Sequence, residues 1–131
     1  MVLRNVKFLH WQAQSSRNEL IAFVNKHVPG SAETIEDLAS AIAYCKMMNQ
    51  LQKGLIDMKK VHMKKVKNEK ERERNWFSNW QMLQRTFQNH KIYAPIDHIV
   101  EGAARQGAKE NLYFLQWFKV FYEENKKSPK K

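Results

Sequence analysis

Hydrophobic positions recur at helical spacing over most of the chain, and no stretch alternates as a strand does. Ser16-Arg17-Asn18-Glu19 forms a capping box ahead of Leu20, Ile21, Phe23 and Val24, which predicts a first helix running to about His27. Pro29-Gly30 stops it. Thr34 with Asp37 is a second N-cap signal, followed by Ile35, Leu38, Ala41, Ile42 and Cys45 at spacings of three and four. That pattern predicts one continuous helix through Met48 and Leu51, ended by Gly54. A long third helix is predicted from about Val66. Its first half, from Lys67 to Arg74, is charged all round and is expected to project into solvent, whereas Trp76, Trp80, Leu83 and Phe87 make an apolar stripe on its second half. His90 to Ala94 reads as a turn. Pro95 suits the first position of a short helix bearing Ile96, Ile99 and Val100 and closed by Gly102. After a loop from Gly102 to Gly107, a last helix from Lys109 to about Glu124 is apolar on nearly every side, as a helix at the centre of a domain must be.

The remaining segments lack a clear period. Residues 1–14 read as an extended lead-in whose Val6, Phe8, Leu9 and Trp11 pack back on the domain. Between the second and third helices, Met58-Lys59-Lys60-Val61 is repeated five residues later as Met63-Lys64-Lys65-Val66. So short a period fits a local insertion and not a solenoid. Residues 126–131 are a solvated basic tail. The expected organisation is one all-α domain over 15–125, preceded by the lead-in and followed by the tail or the start of a linker.

Charge adds a direction to this picture. The net charge is +10, and the segment from Lys59 to Arg74 together with the tail carries +9 of it. A localised basic surface implies a localised acidic partner, which could be nucleic acid, anionic lipid or an acidic protein face. No run is long and apolar enough to span a membrane, and the first residues do not have the composition of a signal peptide. One cysteine, Cys45, cannot make an internal disulfide, so a reducing intracellular compartment is expected.

Chemistry is hard to place anywhere. The five histidines are scattered and share no metal-ligand spacing with Cys45 or a carboxylate. The glycines are isolated and build no phosphate-binding loop. Cys45 sits on an apolar helix face, where a small core residue is the ordinary reading. No catalytic residue, cofactor site or metal site is expected, and the chain reads as a binding module and not an enzyme.

Several motifs, in order, resemble the N-terminal calponin-homology domain of the end-binding proteins, which track growing microtubule tips. They are Ser16-Arg17 with Leu20 to Asn25, Ala43-Tyr44-Cys45 with Met48, Met58-Lys59-Lys60-Val61, and Asn79-Trp80 with Leu83-Gln84 and Phe87. Pro95-Ile96-Asp97 with Val100 and Gly102, and Asn111, Phe114, Gln116-Trp117-Phe118-Lys119 and Phe121, complete the series. Phe23 stands where the family usually has Trp, and His98 and Glu101 stand where it has Lys. The resemblance implies a calponin-homology helical bundle around a buried C-terminal helix. It implies docking on the tubulin lattice between protofilaments, at growing plus ends, in the cytoplasm on microtubules and the spindle.

Carried over by position, Arg17, Lys59 and Lys60 are the expected tubulin contacts, and Gln116 matches a polar contact on the last helix. Lys64 and Lys65 align with the contact pair equally well. The family's homodimer forms through a C-terminal coiled coil that these residues do not include. Two other readings stand beside this one: a calponin-homology adaptor for actin or another cytoskeletal partner, and nucleic-acid binding through the basic helix. The second lacks any helix-turn-helix or RNA-binding signature.

Overall fold

The structure, a computed structural model, describes residues 3–6 and 15–126. Among these residues there are helices and turns and no strand, as the hydrophobic periodicity predicts. Helix α1 spans Arg17–His27, α2 Ile42–Leu51, α3 Glu69–Asn89, α4 Val100–Ala104 and α5 Ala108–Lys126. Two 3-10 turns, Ile35–Ser40 and Met58–Lys60, lie before and after α2.

Helix α5 is the axis of the fold. Phe114, Leu115, Trp117, Phe118, Phe121 and Tyr122 are all buried along it. The other elements pack around this helix and against one another, burying their apolar faces. Tyr44 of α2 meets Phe114 and Phe118 edge-on at centroid distances of 4.9 and 5.0 Å. Trp80 of α3 meets Phe114 at 5.1 Å, and Phe87 meets Trp117 at 5.5 Å. These edge-to-face pairs add to the burial of large apolar side chains.

Helix α1 begins where the capping box predicts. The Ser16 hydroxyl accepts from the Glu19 amide at 3.1 Å, and the Glu19 carboxylate accepts from the Ser16 amide at 2.8 Å. The continuous helix predicted from Ile35 to Leu51 is broken. Ala41 has φ 65°, in the left-handed region, and separates the 3-10 turn from α2. The indole N–H of Trp80 donates to the Ala39 carbonyl at 2.9 Å, and the Asn79 amide donates to the Ser40 carbonyl at 2.9 Å. These two bonds hold the chain against α3 where it leaves the 3-10 turn.

Helix α3 starts later than its pattern suggests, at Glu69. Asn68 caps it, its side chain accepting from the Glu71 amide at 2.9 Å. Its charged first half does not lie wholly in solvent. Arg72 is half-buried over the Trp76 ring at 5.4 Å, and half-buried Glu73 faces Arg105 at 3.8 Å. Trp76 is only half-buried, while Trp80, Leu83 and Phe87 are core.

The short helix predicted from Pro95 is also displaced. Residues 95–99 form turns, with Ile96 buried, and α4 begins at Val100. Gly102 lies inside α4 and does not close it. Closure comes from a Schellman turn, in which the Gly107 amide donates to the Gly102 carbonyl at 2.9 Å and the Gln106 amide to the Ala103 carbonyl at 3.1 Å. Asn111 of α5 holds the same turn through the Ala103 and Gly107 carbonyls. The lead-in packs back as expected where it is described, with Leu3 buried and Val6 half-buried. Phe8, Leu9, Trp11 and the tail from Lys127 lie outside the described residues.

Candidate docking site

Non-helical segments are fastened to the bundle by one recurring device. A carboxamide on a helix accepts from the backbone N–H of a distant residue and donates to that same residue's carbonyl. Asn25 does this to Ala32, Asn49 to Ile56, Asn79 to His62, Gln116 to Ser15 and Asn125 to Arg4. Each pairing satisfies two backbone groups that have no helical partner. Asn79 and Asn125 are fully buried, where a lost partner costs most.

The basic segment after α2 is held by two of these clamps. Asn49 of α2 grips Ile56 at 2.7 and 2.9 Å. Asn79 of α3 grips His62 at 2.9 and 3.1 Å. Ile56 and Val61 are buried beside the clamps, and Met58 packs half-buried against the core. Between these anchors the Asp57 carboxylate accepts from the Lys59 amide at 3.1 Å and starts the short 3-10 turn. Lys59 and Lys60 therefore point outward from a segment fixed at both ends. Lys64 and Lys65 follow immediately and are also exposed. Among the described residues, no carboxylate lies within ion-pair distance of any of these four lysines.

Arg17 and Gln116 form a second group, anchored on α5. Arg17 is exposed at the first position of α1. Gln116 is half-buried and both ends of its amide are engaged: the Ser15 amide donates to its oxygen at 3.1 Å, and its nitrogen donates to the Ser15 carbonyl at 2.8 Å. The clamp uses one acceptor and one donor of the Gln116 amide and leaves one of each. What Gln116 does in the structure is fix the residue that precedes the Ser16 cap, and with it the place where Arg17 emerges. His98 and Glu101 are exposed at the far end, near α4.

The clamping asparagines are the residues that sequence patterning does not reveal. Two of them share a signal in retrospect. Asn25 and Asn49 each lie near a helix C-terminus and reach the residue seven positions on.

Burial sets the state of the ionisable groups in the core. The Cys45 thiol is fully buried, and burial pushes its pKa up to about 12, so it stays protonated. Tyr44 is likewise driven upward by burial. Among the described residues, no group of three or more His, Cys, Asp or Glu is placed to hold a metal ion, and no helix is long and apolar enough to cross a membrane. A recess of about 590 Å³ lies between the end of α3, residues 91–97 and α5, and among the described residues its charged lining groups are Lys91 and Asp97.

The helical bundle around a buried last helix and the absence of strands among the described residues agree with one comparison. A family model, that of the calponin homology (CH) domain, matches residues 14–123. Domains of this type are cytoskeleton-binding modules, acting on actin or microtubules, and are generally not enzymes. With most of its length matched, the chain belongs to the calponin-homology domain family.

Proposed function

We propose that this domain docks on the microtubule lattice, at growing plus ends, through Arg17, Lys59, Lys60, Lys64 and Lys65. Gln116 takes part by holding Ser15 and so aiming Arg17. The observation that carries the reading is a set of four exposed lysines, Lys59 and Lys60 between the two clamps and Lys64 and Lys65 just beyond the second, with no carboxylate of the described residues within ion-pair distance. A fixed cationic segment costs little conformational entropy when it binds, so its attraction to an acidic surface appears as affinity. Tubulin presents such a surface. Charge steers the encounter, and the shape of the bundle in a groove between protofilaments supplies selectivity.

Co-sedimentation with microtubules at rising salt is the direct test. The wild-type domain binds at low salt and releases as ionic strength rises. The K59E/K60E/K64E/K65E variant keeps its helical circular dichroism, because all four side chains are exposed, and loses binding by roughly tenfold or more. A folded wild-type domain that stays in the supernatant at low salt refutes the proposal, and parallel co-sedimentation with actin filaments then separates the actin reading. Comparing lattices grown with GTP and with a slowly hydrolysed analogue tests the preference for growing ends.

A further inference from the structure

The two Met-Lys-Lys-Val copies have the same sequence but different surroundings. In the first, Val61 is 7% exposed and Met58 packs against the core. In the second, Met63 is 48% exposed, and neither Met63 nor Val66 belongs to the core cluster or to the side chains packed on it. The difference follows from the Asn79 clamp on His62, which ends the anchored stretch one residue before Met63. The chain is next fixed at Asn68, the cap of α3. The second copy therefore bridges two fixed points with its methionine and both lysines turned outward.

We infer that the second copy is the contact element proper: Met63 seats in an apolar notch of an acidic protein surface while Lys64 and Lys65 pair with the carboxylates around it. The first copy serves mainly to anchor the segment. This assignment rests on the microtubule reading above and names which of the two lysine pairs does the binding. A methionine is suited to the role, being unbranched, polarizable and able to fit an irregular apolar site. The combination favours a protein over a nucleic acid, since a phosphate backbone offers cations a partner and an exposed thioether none. The charge is complementary: the segment from Lys59 to Arg74 has six Lys and two Arg against three Glu.

Microtubule co-sedimentation over a salt series, with M63S, K64E/K65E and K59E/K60E beside the wild type, tests this. M63S is expected to weaken binding roughly fivefold at every salt concentration, leaving the salt slope unchanged, because the lost contribution is apolar. M63L restores it. K64E/K65E weakens binding more than K59E/K60E and flattens the salt slope. Wild-type affinity of M63S, or equal losses from the two lysine pairs, overturns the assignment while leaving the microtubule reading intact. Failure of the wild type to bind microtubules overturns both. Binding to phosphatidylserine vesicles or duplex DNA that depends on Met63 as strongly as microtubule binding does also overturns it, since the contact would then not be specific to a protein surface.

Discussion

The carboxamide of Asn79 and the backbone of His62 exchange two hydrogen bonds, at 2.9 and 3.1 Å, across seventeen residues of sequence. The same amide nitrogen donates to the Ser40 carbonyl. One side chain thus joins the break in front of α2, the basic segment and the middle of α3. N79A is expected to destabilise the fold by about 3 kcal/mol or more, since it leaves several partly buried backbone groups without a partner. N79D is expected to be at least as harmful: it keeps an acceptor for the His62 amide but sets a carboxylate against two carbonyl oxygens. Urea denaturation of both variants measures this. A midpoint for N79D close to wild type would disprove it.

Two helices end on residues that the backbone does not favour. Lys91 has φ 58° and Gln106 has φ 66°, each at the left-handed position of a Schellman turn after α3 and α4. At the first, the Ile92 amide donates to the Phe87 carbonyl at 2.8 Å and the Lys91 amide to the Gln88 carbonyl at 3.1 Å. Both side chains are exposed. K91G and Q106G are each expected to stabilise the domain by about 0.5–1 kcal/mol, the relief of left-handed strain exceeding the added freedom of the unfolded chain. The shifts should add in the double variant, read as higher denaturation midpoints.

Stability should respond to pH in two separate windows. Burial, and then the nearby Lys26 and Lys126, hold His27 below its ordinary value, with Glu123 acting in the opposite sense. Its ring lies between Phe23 and Tyr122, at 5.2 and 4.7 Å. The unfolded chain therefore takes up the proton first, so stability is full above the ordinary histidine value of about 6.5 and declines as pH falls below it. H27Q should flatten that part of the profile. Asp37 accepts from the Glu33 and Thr34 amides, both at 2.9 Å, and these bonds lower its pKa. Its contribution is present above its unfolded value and lost as pH falls through the folded one, in the acid range below about 4. Thermal melts across pH 3–8, with D37N as the second control, resolve the two.

Cys45 should be silent toward thiol reagents in the native state. It is fully buried and its thiol is held protonated well above neutral pH. Ellman's reagent at pH 8 is expected to label it only as fast as the domain unfolds, and denaturant should release full reactivity. Rapid labelling without denaturant would contradict the packing around α2.

The sequence makes some of this legible and hides the rest for a physical reason. Local signals are read correctly: the Ser16–Glu19 box starts α1, and the continuous apolar face of α5 marks the centre of the fold. The break between the 3-10 turn and α2 goes with distant partners. Nothing between Ile35 and Leu51 shows that Ala39 and Ser40 give their carbonyls to Trp80 and Asn79. The closure of α4 depends on Asn111, and the half-burial of Arg72 on Trp76. For the site, the repeated Met-Lys-Lys-Val is plain in the sequence. Which copy faces outward is set by Asn79, seventeen residues from His62, and so is not.

The clamps that hold the basic segment grip main-chain atoms, which every residue except proline offers alike. Between Ile56 and Asn68 only the buried Val61 and the half-buried Met58 have side chains packed on the core. Selection is thus free to rewrite the outward positions one by one, and mutational drift there changes partner choice before it threatens folding. The same tolerance makes the stretch a natural place to graft a foreign recognition sequence onto this bundle.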